Sequence, residues 1–192
     1  MEQSNKRKSQ VTFLRSVRKV HRFTGIFLFC FFIIIALSGF LLGWKKHTDG
    51  ILLPKSYKGT TANLEKWLSI DQLHKIASGI LRDSISASLS HELDRIDIRK
   101  DKGMVKFLFI DGFWEIQLDG ATGKLLHIQR RYSDIIEKIH DASIADYYFG
   151  TSDGQIKLIY TSTMGIALLI FALTGFWLWY GPRRLRQKST NS

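Results

Sequence analysis

FTGIFLFCFFIIIALSGFLLGW, residues 23–44, holds no charged side chain over 22 positions. At about 1.5 Å of rise per residue, such a helix reaches the roughly 30 Å hydrocarbon core of a bilayer. A helix of that length in a soluble domain keeps a polar face, and this stretch has none. A second run, from Leu158 to Pro182, is also free of charge. The two runs read as transmembrane helices over 23–44 and 158–180, and they decide the fold class.

Outward from both runs the chain turns basic. Residues 1–22 carry Lys6, Arg7, Lys8, Arg15, Arg18, Lys19 and Arg22 against a single acid, Glu2, and residues 181–192 carry Arg183, Arg184, Arg186 and Lys188. Residues 45–157 are nearly balanced, with 17 Lys/Arg and 16 Asp/Glu. Short Lys/Arg-rich segments stay cytoplasmic, so both tails are expected inside a bacterial inner membrane and residues 45–157 outside it. Trp44, Trp177, Trp179 and Tyr180 fall at the run ends, where interfacial aromatics belong. The net charge of +11 is concentrated in these tails, so topology accounts for it and no nucleic-acid partner is invoked. A cleaved signal peptide has a shorter apolar core and a small-residue cleavage site, which favours an uncleaved anchor here. Cys30 is the single cysteine, so the outer domain must rest on its core alone.

The segment between the runs suffices for one small α+β domain. SIDQ at 69–72 is a capping box, and Ile70, Leu73, Ile76, Ala77 and Ile80 follow at helical spacing. Strands are expected over Arg95–Arg99, Met104–Ile110, Phe113–Leu118 and Lys124–Arg130, with DG at 111–112 and DGATG at 119–123 as turns. Ser133 is expected to cap a short helix, DIIEKIHD, that carries His140 on its apolar side. ASIADYYFGTSDGQ at 142–155 reads as a connector to the second run.

In this order the motifs become recognisable. VHRFTG opens the first run, and LDGATGKLL is similar to the D-x-x-T-G-x-[VL] hairpin of PepSY domains. KIHDAS then precedes a last run ending LTGFWLWYGPRR. From about residue 15 to 186 the chain resembles the PepSY-associated transmembrane helix family. The resemblance implies two transmembrane helices around a small PepSY-like α+β extracytoplasmic domain. Larger members have four or more spans and include iron-regulated membrane proteins and haem-containing ferric-siderophore reductases. It therefore implies a haem-linked electron-transfer component in iron or siderophore handling, with haem b as cofactor and siderophore-uptake components as partners. The alternative it carries is a redox-inert, membrane-tethered regulatory module acting on a peptidase or envelope protein.

Six histidines are available as axial ligands. His21, at the cytoplasmic end of the first run, is either an interfacial residue or a haem ligand, with Gly25 one turn on admitting a flat ring. His140 is either a satisfied histidine on an apolar stripe or the family's ligand before the last run. His47, just past the first run, is a candidate partner for His140. His74, His91 and His127 are expected in solvent. His21 and His140 are expected on opposite sides of the membrane, so one chain cannot place both on one haem. A homodimer would pair each with its copy, or His140 with His47. There is no Gly-rich nucleotide loop, HExxH, G-x-S-x-G or CxxCH.

One word occurs twice: ALSGF at 36–40 and ALTGF at 172–176. With Gly25, Gly39 and Gly43 in the first run and Gly165 and Gly175 in the second, it supplies small residues. These either let helices pack closely in lipid or leave room for a haem ring.

Overall fold

The computed structural model describes residues 2–190, and these fall into two compact units. One comprises the chain up to Gly39 and from Ile139 onward; the other is Phe40–Lys138.

The first unit is helical. Helix α1 (Glu2–Trp44) contributes its length up to Gly39, and α5 (Gln155–Thr190) follows the short α4 (Ser143–Phe149). Both long helices are apolar enough to span a bilayer, and almost none of their apolar surface is buried within the chain. That surface is the lipid-facing coat of a transmembrane helix. Contacts between them run Phe13 to Trp177, His21 to Thr174, and Phe31 to Tyr160, so α1 and α5 are antiparallel.

The second unit is an α+β domain. Helix α2 (Ile70–Ser84) begins with the expected capping box, Ser69 Oγ accepting from the Gln72 N–H and the Gln72 side chain accepting from the Ser69 N–H. Strands β1 (Leu93–Arg99), β2 (Met104–Phe109), β3 (Trp114–Asp119) and β4 (Leu125–Arg130) form an antiparallel sheet in sequence order. Alternation puts Val105, Phe107, Phe109, Ile116 and Leu118 on one face, where Leu73, Ala77 and Leu81 of α2 close the core.

The second face of the sheet is also buried, and its chemistry is ionic. Lys106, Glu115, Gln117 and Asp119 are all enclosed. Lys106 Nζ donates to Glu115 Oε1 at 2.9 Å, Arg131 Nη1 to Glu115 Oε2 at 2.5 Å, and Arg131 Nε to Asp134 Oδ2 at 2.9 Å. The segment after α1 straps this face. Gln117 donates to the Lys55 carbonyl and accepts from the Tyr57 N–H, Gln129 donates to the Gly50 carbonyl, and the Thr60 N–H and hydroxyl bind Asp119. Gly59 makes the strap's close approach: a Cβ there would lie 2.0 Å from the Gly103 carbonyl oxygen.

Four expectations are corrected. His127 is half-buried, because the strap brings Tyr57 to 4.7 Å of its ring and Gln129 binds its Nε2. His74 is half-buried over Phe107, with its Nε2 buried and unbonded. Helix α3 (Tyr132–His140) starts one residue before Ser133, since Asp134 already bonds Arg131 through backbone and side chain. The connector after His140 contains α4, entered through Ala142 at φ 60° and left through Gly150 at φ 60°.

Candidate functional site

In the helical unit, two histidines are held in the same way by the two copies of the repeated word. His21 of α1 places Nδ1 2.9 Å from Thr174 Oγ1 of α5. His140 places Nδ1 2.8 Å from Ser38 Oγ of α1. The next residue in each word is the glycine, and each glycine lies against the same histidine. A Cβ at Gly175 would stand 3.3 Å from His21 Cε1, and one at Gly39 would stand 3.4 Å from His140 Cε1. The word therefore acts as a hydroxyl followed by a notch, and both copies seat an imidazole edge.

Each hydroxyl also bonds back along its own helix. Ser38 Oγ donates to the Ile34 carbonyl at 2.6 Å, and Thr174 Oγ1 to the Ile170 carbonyl at 2.7 Å. Among the described residues neither imidazole makes a hydrogen bond through Nε2. From His21 to Ser38 the helix rises roughly 25 Å, so the two seats lie near opposite ends of a bilayer-length segment.

The seats differ in their surroundings. Phe171 stacks on the His21 ring at 4.1 Å and 19°, and Phe32 meets Phe171 edge-on at 5.7 Å. Gly25 makes room for Phe171, whose Cε2 would lie 3.0 Å from a Cβ there. The flat ring that approaches the backbone at Gly25 is thus phenylalanine. His140 is fixed instead by its connector: Lys157 Nζ pairs with Asp141 at 2.6 Å, and the Ser143 N–H bonds the same carboxylate. Burial pushes the Asp141 carboxyl up, but these bonds outweigh it and hold it below the usual carboxylate range. Asp146 of α4 accepts from the Thr151 hydroxyl and from the Ile156 and Lys157 N–H groups, tying α4 to the exposed amides that open α5. The Thr151 bond leads in lowering its pKa.

His47 is an exposed residue of the second unit, its ring edge-on to Trp44 at 6.0 Å. A Cβ added at Gly43 or Gly165 would meet nothing within 4 Å among the described residues. His91 is exposed. Ser38 and Thr174 are not among the residues that the sequence pattern singles out, although both stand in the repeated word.

The profile of the PepSY-associated TM region matches residues 18–192, nearly the whole chain. The chain belongs to the PepSY-associated TM family. No curated protein matches it. For a PepSY-associated TM protein the two apolar helices are transmembrane helices, and the four-stranded domain between them is the expected α+β layout.

Among the described residues no three His, Cys, Asp or Glu side chains gather into a metal-holding group. A metal held by the chain alone needs such a group, whereas haem brings four equatorial nitrogens and asks the protein for axial ligands only. A lone imidazole with its Nδ1 edge anchored and its Nε2 unbonded fits that demand. Two such imidazoles are present.

Proposed function

We propose that this PepSY-associated TM protein is a haem-linked electron-transfer component of a bacterial inner membrane, serving iron or siderophore handling. The observation that carries the reading is the pair of equivalent seats, His21 with Thr174–Gly175 and His140 with Ser38–Gly39. For His21, on the lipid-facing helix α1, an imidazole nitrogen left unbonded is costly, and a ligand on Nε2 removes the cost. Haem b would supply one-electron chemistry at each level; His21 and His140 would be its axial ligands.

The protein's own part is to hold each imidazole at a fixed height and edge. Each level has one seated histidine per chain, so a homodimer completes two pairs, and the lipid bilayer covers the remaining apolar surface. The basic tails favour both termini in the cytoplasm and the sheet domain outside, which would set His21 at the inner level and His140 at the outer. Electrons from a separate reductant on the inner side, itself oxidised, would then move outward one at a time and reduce a ferric substrate delivered by uptake components to the ferrous state.

Haem-replete expression of His21→Ala, His140→Ala and the double variant tests this. Each single variant is expected to lose the haem of its own level, about half of the bound total, and the double variant all of it. Wild-type haem content in the double variant contradicts the assignment.

A further inference from the structure

The two hydroxyls do more than anchor a ring edge. We propose that Ser38 and Thr174 are positioning residues that fix the tautomer of His140 and His21, keeping the proton on Nδ1 and the lone pair on Nε2. The use of that lone pair rests on the haem reading above; the tautomer itself rests on geometry alone.

A hydroxyl has one proton to give and two lone pairs to offer. In Ser38 the proton is directed at the Ile34 carbonyl at 2.6 Å, with the Ile35 carbonyl at 3.3 Å as a second acceptor. In Thr174 it is directed at the Ile170 carbonyl at 2.7 Å and the Phe171 carbonyl at 3.0 Å. This back-bonding is the usual resting place of a helical Ser or Thr proton, and a membrane offers no water to compete for it. What each oxygen presents to the histidine is a lone pair. The contacts at 2.8 Å to His140 and 2.9 Å to His21 are then Nδ1–H donations to oxygen. The proton on Nδ1 leaves Nε2 with the free pair, which is the form a metal takes.

The following glycine belongs to the same device. A Cβ at Gly175 would stand 3.3 Å from His21 Cε1 and crowd it slightly, and one at Gly39 would reach van der Waals contact with His140 Cε1 at 3.4 Å, so glycine gives each ring room for its approach to the neighbouring hydroxyl. The pairing of hydroxyl and glycine therefore recurs as a unit: Ser38–Gly39 for one histidine, Thr174–Gly175 for the other. Free imidazole side chains in water favour the proton on Nε2, so an Nδ1–H histidine is a distinctive signature of this arrangement.

The test is nitrogen NMR on full-length protein labelled with 15N-histidine, purified from haem-depleted cells into lipid nanodiscs. Two of the six histidines are expected as Nδ1–H tautomers, assigned by loss of their signals in His21→Ala and His140→Ala. Ser38→Ala is expected to shift the His140 pair alone towards Nε2–H, and Thr174→Val the His21 pair alone. Ser38→Thr and Thr174→Ser, which keep a hydroxyl, are expected to retain the wild-type signals and show that loss follows the hydroxyl rather than the fold. Wild-type His21 or His140 found as Nε2–H, or signals unmoved in Ser38→Ala and Thr174→Val, would overturn the proposal. Nδ1–H tautomers in a protein that never takes up haem would support it and refute the haem reading; Nε2–H tautomers in the apo form of a protein that does take up haem would do the reverse.

Discussion

Replacing Glu115 by alanine removes the carboxylate shared by two buried cations. Glu115 is 0 % exposed, and the Lys106 side chain beside it 4 %. Without the glutamate, Lys106 has no anionic partner among the described residues, and Arg131 keeps only Asp134. Breaking a buried pair from one side costs about 3–5 kcal/mol, since an uncompensated charge stays in the interior. That is a large part of the roughly 5–15 kcal/mol that holds an ordinary domain together. Lys106→Met is the milder change: Arg131 and Gln117 still bond Glu115, and methionine fills the space of the lysine stem. Its expected cost is about 1–3 kcal/mol, that of one lost donor to a buried acceptor. Urea unfolding of the full-length protein in detergent, followed by the fluorescence of Trp67 and Trp114 at the domain core, measures both. Glu115→Ala within 1 kcal/mol of wild type, or Lys106→Met the more damaging of the two, would refute the reasoning.

Gly43→Ala and Gly165→Ala place a methyl that meets nothing within 4 Å among the described residues, and should be neutral or stabilising by up to ~1 kcal/mol through helix propensity. Gly25→Ala brings a methyl to 3.0 Å of Phe171 Cε2, in a ring already stacked on His21 and met edge-on by Phe32; its expected net effect in thermal unfolding is a loss, from an overpacking penalty of about 1–3 kcal/mol. Asp119 is buried, which raises its pKa, but bonds from Thr60, Ala121 and Thr122 outweigh burial and hold it below the usual value. Its contribution is fully present above the unfolded pKa of about 3.9 and is lost as pH falls through the lower folded value. Asp119→Asn should therefore lie below wild type in stability at pH 7, and the gap should close on acidification. Ser69→Ala should cost about 1 kcal/mol by removing the cap of α2, read in the same unfolding assay.

What is legible in the sequence follows from local rules. Apolar runs without charge mark the spans, SIDQ marks the start of α2, and alternation with DG and DGATG marks β1 to β4 to within a residue or two. What escapes it depends on pairings between distant positions. Lys106 looks like one polar interruption in an apolar strand; its burial follows from the register that sets Lys106 opposite Gln117 with Glu115 close by, and from a strap that covers the polar face. The same strap is why His127 is not in solvent. The seats pair His21 with a hydroxyl 153 residues away and His140 with one 102 residues away, in opposite chain directions. The repeated word does carry a signal, but it lies in the Ser or Thr before the glycine as much as in the small residues that stand out.

His21 and His140 are proposed to hold haem. The most direct measurement is a reduced-minus-oxidised absorption spectrum of the wild-type protein, purified from haem-replete cells in detergent. Expected are b-type bands whose intensity corresponds to one haem per chain, two per dimer. A protein purified intact under those conditions with no such bands contradicts the proposal.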